Sequence, residues 1–244
     1  KHIAGIIFVL MFALPMHAAI KIVADHNPSE LAASGFKFKN IPSPSQDDAA
    51  AKAKFTLVDG IRDSNGGNIE KLHDDKIPVE DDQPGENFFF QAGTDGGRIL
   101  LDLSRPINIK QINSYSWHPN TRGPQVYKLY ASTGSADDFN PQPKKGTDPL
   151  TCGWKLLASV DTRPKAGQGG GQYGNSLSDT DGTIGKYRYL LFDIFRTEAT
   201  DPFGNTFFSE IDVIDADAPA VTAIPDTQPV LQLRRETVEA DGGK

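Results

Sequence analysis

The stretch SYSWHPNTRGPQ places Tyr115, Trp117, His118, Asn120 and Arg122 close together, and these residue types suit a sugar. An aromatic face packs on the apolar C–H side of a pyranose, while planar amide and guanidinium groups bond paired hydroxyls. Pro119 and Gly123 set a turn, so a strand is expected to end in an aromatic and display His118, Asn120 and Arg122 at its tip. The competing reading puts Trp117 in the core and leaves the rest as a solvated hairpin tip. Tyr173, in AGQGGGQYGN, is expected on a mobile loop near the same binding face. Phe203 and Phe207 extend the aromatic set, and Phe207 and Phe208 cannot both face the core of a strand.

Asp59, Asp63, Asn65 and Asn68 lie in a Gly-rich turn of the kind that supplies oxygen ligands to Ca²⁺. The same carboxylates and amides can instead cap turns, and spacing leaves both readings open. Gly169, Gly171 and Gly174 match G-x-G-x-x-G, but Arg163-Pro164 precedes them and NSLSDTDGT follows, where a dinucleotide site needs a strand and a helix. His73-Asp74-Asp75 and Glu80-Asp81-Asp82 hold the paired carboxylates that glycoside cleavage uses, yet such a charge run is ordinarily a solvated loop. There is no H-E-x-x-H, G-x-S-x-G or P-loop. Cys152 has no identifiable base and reads as a quiet, partly buried thiol. No catalytic residue is assigned.

The elements that must position these groups are short β-like runs. They are FTLVD (55–59), RILLDL (98–103), INIKQINSYSW (107–117), QVYKLYAS (125–132), WKLLASVD (154–161), KYRYLLFDIF (186–195) and FFSEIDVID (207–215). Ile99, Leu101 and Leu103 share one face at period two, and the run from Tyr187 to Phe195 is apolar on both faces, as in an inner strand. No amphipathic helix of three turns interrupts them. The expected fold is all-β, an antiparallel sandwich with jelly-roll, galactose-binding-like character, over residues 54–215. A domain of this size buries roughly 70% of its unfolded-chain surface, so one core suffices without disulfides, and a single Cys permits none. The connectors 60–87, 133–153 and 162–185 are long enough that function is sought there.

Residues 1–19 read as a secretory signal peptide: Lys1 and His2, an apolar run from Ile3 to Leu14, then Ala18-Ala19. At 1.5 Å per residue that run covers about 18 Å, short of a bilayer core of about 30 Å, so no membrane span is expected after cleavage. Residues 20–53 read as a Pro- and Ala-rich lead-in with one short strand near Phe36 to Lys39. Residues 216–244 read as a linker and the start of a following region. The expected location is secreted, extracellular or in a bacterial envelope. The formal net charge of -7 argues against a surface for nucleic acid.

The order of these motifs resembles the discoidin, or coagulation-factor type C, family of the galactose-binding-like fold, in a bacterial secreted version. The resemblance is carried by Val58-Asp59-Gly60, RILLDLSRPINIKQI (98–112), VYKLYASTG (126–134), WKLLA (154–158), KYRYLLFD (186–193) and FSEIDV (208–213). The family's Trp after the D-G turn is absent, and Phe88-Phe89-Phe90 is expected to fill that volume. The terminal Cys pair of animal members is also absent. The resemblance implies a non-catalytic module that binds carbohydrate through loops at one end of the sandwich. It also implies a structural Ca²⁺ held by Asp59 and Glu210, with Asp63 a further ligand. The alternative is a structural or protein-interaction module packing on a downstream domain of the same polypeptide, which the tail RRETVEADGGK, resembling a junction before a metallopeptidase domain, would introduce.

Overall fold

A computed structural model describes residues 20–167, 169–180, 182–199 and 203–219. The expected signal peptide and the tail after Pro219 lie outside the described residues. The strands are β1 (Ile20–Pro28), β2 (Lys54–Asp59), β3 (Gly97–His118), β4 (Val126–Ser132), β5 (Lys155–Asp161), β6 (Gly171–Asp179), β7 (Gly185–Ile194) and β8 (Phe208–Asp215). Every pairing between them is antiparallel. Among the described residues no helix is long and apolar enough to cross a membrane.

The runs 98–103 and 107–117, expected as separate strands, are one 22-residue strand, β3. Its first part lies between β2 and β7, and its last part between β6 and β8. One strand therefore serves two layers: β2, β3, β7, β4 and β5 in the first, and β8, β3, β6 and β1 in the second. The crossing is made at a bulge, where Asp102 faces Tyr189 but Ile107 already faces Tyr187. Ser104 takes a left-handed φ of 67° there, and its N–H donates to Asp102 Oδ1 at 2.8 Å. Both ends of β3 return to the same end of the sandwich. Asn205 Nδ2 donates to the carbonyls of Gln91 and Thr94, just before β3, at 3.0 and 3.1 Å, and Arg122 Nε, just past it, donates to the Asn205 carbonyl at 3.1 Å.

Period-two alternation puts Ile99, Leu101, Leu129, Leu177, Leu190, Phe192, Ile211 and Val213 between the layers. Full burial of each such side chain is worth about 1.5–3 kcal/mol. Phe88 and Phe90 join this core, meeting edge to face at 5.4 Å, so the aromatic run does fill core volume. Gly60 is required at the turn before them: its φ is 92°, and a Cβ would lie 2.7 Å from the Phe90 ring.

Both outer faces are covered by chain that reads as connector. Residues 133–153 pack over Val58, Leu100, Tyr130, Trp154 and Leu191 through Phe139 and Cys152. Arg98 pins them: its Nη1 donates to the carbonyls of Pro143, Lys144 and Thr147, and its Nη2 pairs with Asp193 at 3.0 Å. On the second layer the lead-in supplies Phe36, Ile41 and Phe38 over Tyr115 and Trp117. The lead-in's strand is β1, paired with β6 along its whole length, while 36–39 is irregular covering chain. The Gly-rich stretch likewise departs from expectation, since its second half, from Gly171, is β6. Gly174 has no Cβ because Phe38 lies where one would be, 2.8 Å away.

Candidate functional site

The residues expected to grip a sugar are largely consumed by the fold. Tyr115 and Trp117 point to the outer face of β3 and are buried under Phe36, whose ring meets theirs edge to face at 6.1 and 5.7 Å. Tyr115 OH donates to the Pro42 carbonyl at 2.8 Å and to Asp212 Oδ2 at 3.2 Å. Tyr173 is a strand residue, buried and stacked on His26 at 4.2 Å. The expected aromatic platform is thereby corrected: these rings hold the lead-in and β1 in place. His118 and Arg122 are also buried. The His118 ring abuts Phe207 at 4.5 Å, and its Nδ1 accepts the Asn120 N–H at 3.2 Å. The Arg122 guanidinium lies 4.4 and 4.2 Å from the Phe89 and Phe207 ring centres, which stack on each other. Phe207 and Phe208 do face apart, Phe208 into the core and Phe207 to this cation. Asn120 alone of the set reaches the surface in part.

Arg122 and Asn205 instead build a rigid floor for the loops at this end. The Phe207 N–H donates to the Arg122 carbonyl at 2.9 Å, Thr206 Oγ1 to the Pro124 carbonyl at 2.7 Å, and Thr197 Oγ1 to the Thr121 carbonyl. Gln125 and Thr162 exchange backbone and hydroxyl bonds, which ties β4's entry to β5's exit. Above this floor opens a cleft of about 530 Å³, lined by Thr121, Pro124, Asp161, Arg163, Pro164, Gly167, Thr197 and Glu198. Arg163 Nε and Nη2 grip Asp161 at 2.9 and 2.5 Å, and its Nη1 reaches the Thr197 carbonyl at 3.4 Å. The Arg163 hydrogen bonds hold the Asp161 carboxyl below its usual range, and Asp161 raises Arg163 in return. Phe203, exposed, precedes Gly204, whose carbonyl accepts the Thr197 N–H at 2.6 Å. Sequence reading missed Asp161 and Arg163, although an acid and a base two apart at a strand end share a face.

The expected Ca²⁺ ligands do not form a set. Asp59 accepts the N–H groups of Gly60 and Lys145 at 2.8 and 2.6 Å and lies near Lys144 and Arg98. Asp63 caps its own turn through Asn65, and the turn's carbonyls at Asp63 and Gly66 are taken by Arg62 Nη1 at 2.8 and 2.6 Å. Glu210 is buried on β8 among Asp212, Asp48, Asp74 and Asp75. Among the described residues no group of three or more His, Cys, Asp or Glu side chains is arranged to hold a metal. A guanidinium already satisfies the oxygen-rich turn, so these residues do not fit the ion.

The described molecule is an all-β antiparallel sandwich. Solved structures of similar fold include a fucolectin from striped bass (Morone saxatilis) serum, with 14% identity over 69% of this chain and 48% of that one and a TM-score of 0.44. Another is CBM32-1 from a family 31 glycoside hydrolase of Clostridium perfringens, with 11% identity over 70% of this chain and 99% of that one, TM-score 0.43. A Ruminococcus gnavus GH29 fucosidase in complex with fucose gives 17% identity over 71% and 28%, TM-score 0.47. The chain thus spans about half of the fucolectin chain and about a quarter of the fucosidase. No family model and no curated protein matches the sequence.

Proposed function

We propose that this chain is a non-catalytic carbohydrate-binding module, exported to the cell envelope or exterior, that holds its glycan in the cleft at the loop end. The observation that carries this reading is the cleft itself: hydroxyl, carboxylate and guanidinium groups from separate loops converge on a concavity of about 530 Å³, on loops tied down by buried hydrogen bonds. Such a mixture of donors and acceptors matches sugar hydroxyls, and exposed Phe203 nearby offers an apolar face. The ordered discoidin-like motifs support the same function, and the signal-like first 19 residues support export. A glycan array probed with the full chain tests it. Retention of at least one glycan, weakened by Glu198→Ala, is expected; no retention anywhere would remove the reading.

A second reading, packing on a neighbouring domain, is favoured by a groove of about 940 Å³ at the opposite end. It is walled by Asp47 to Ala49, Leu103 to Arg105, Ile214, Asp215 and Asp217 to Pro219 and includes more apolar side chains.

A further inference from the structure

Within the carbohydrate reading, the charges of the cleft say which saccharides it admits. Its walls carry two carboxylates, Asp161 and Glu198, and one guanidinium, Arg163. That guanidinium is already engaged: both Asp161 oxygens accept from it, Oδ1 accepts the Arg163 backbone N–H as well at 3.1 Å, and the Thr197 carbonyl meets its remaining arm. Lys165, on the same turn, is exposed and is not among the walls. A sugar bearing a carboxylate or sulfate would therefore meet more negative than positive charge. To gain a cation it would have to displace Asp161 from a bidentate pair, the strong form of this contact. A hydroxyl both donates and accepts. A carboxylate held beside a guanidinium presents acceptors next to donors, which matches two adjacent hydroxyls without breaking the pair.

We propose that the Asp161–Arg163 pair is the specificity determinant of the cleft, admitting uncharged saccharides through adjacent hydroxyls and excluding anionic ones. It follows that neutralising Asp161 turns Arg163 into a carboxylate receptor, since the bidentate fork is left facing the cleft. Both side chains are about half exposed, so replacing either leaves the core untouched.

The test uses the full chain and its Asp161→Asn and Arg163→Lys variants against two immobilised panels. One holds galactose, fucose, N-acetylgalactosamine, glucose and mannose; the other holds galacturonate, N-acetylneuraminate and 3-sulfogalactose. The unmodified chain should favour the uncharged panel by about tenfold or more, the scale of one hydrogen bond to a charged group. Asp161→Asn should lose about tenfold on that panel and gain retention on galacturonate, whereas Arg163→Lys should lose the first without gaining the second. Equal or stronger retention on the anionic panel, or an Asp161→Asn variant with unchanged preference, would overturn the inference and leave carbohydrate binding standing. Retention on neither panel would remove both. Unchanged circular dichroism of the variants confirms that binding, and not folding, is being read.

Discussion

Glu210 and Asp212 sit side by side on the outer face of β8, each nearly inaccessible to solvent. Burial, and then the neighbouring carboxylates, push Asp212 up to about 8 and Glu210 to about 10, and burial raises Asp48 to about 6. Tyr115, the Ser45 N–H and the Ala50 and Val213 N–H groups bond to this cluster, so it holds the lead-in against the second layer in protonated form. Between the ordinary carboxylate range and these raised values the folded chain binds more protons than the unfolded one. Stability must then be fullest below about pH 4 as far as these groups are concerned, and must fall as pH rises from there to about 10, most steeply below about 6, where all three contribute. Each titrating carboxylate contributes up to about 1.4 kcal/mol per pH unit. Melting temperatures at pH 5 and pH 9 should show the decline, and Glu210→Gln with Asp212→Asn should flatten it. A melting temperature that rises across that interval would contradict the assignment.

At the scale of elements, the connector 133–153 owes its place to Arg98, which bonds three of its carbonyls while paired with Asp193. Arg98→Ala leaves a buried carboxylate that, among the described residues, has only Lys145, at 3.6 Å, as a cation partner. Breaking a buried pair from one side costs about 3–5 kcal/mol, so urea denaturation should show a loss of that order; a loss under about 1 kcal/mol would contradict the pinning role. Most strands were legible because their alternation is a local property, as in Ile99, Leu101 and Leu103. The continuity of β3 was not, because Pro106 and Ser104 look like a break and the bulge becomes a crossing only once β7 and β8 pair on either side. β6 was hidden for a different reason: Gly171 and Gly174 read as loop, yet each is needed where other chain passes close, Asn27 at one and Phe38 at the other. The candidate site was half legible. The loop end was found through SYSWHPNTRGPQ, but whether His118 and Arg122 face solvent depends on Phe89 and Phe207, which are distant in sequence.

Across the whole molecule, one strand shared by two layers brings both of its own ends to a single tethered loop end, while long connectors seal the outer faces. That division leaves a polar cleft at one end and a more apolar groove at the other. In the proposed function the cleft receives a sugar, and backbone amide shifts recorded while titrating the best-retained glycan into the isotopically labelled full chain show whether it does. Changes are predicted at Thr121, Asp161, Arg163, Thr197 and Glu198, with the amides of Ala49, Leu103 and Asp215 unmoved. Changes confined to the groove at the far end, or to the covering segments over Tyr115 and Trp117, would contradict it.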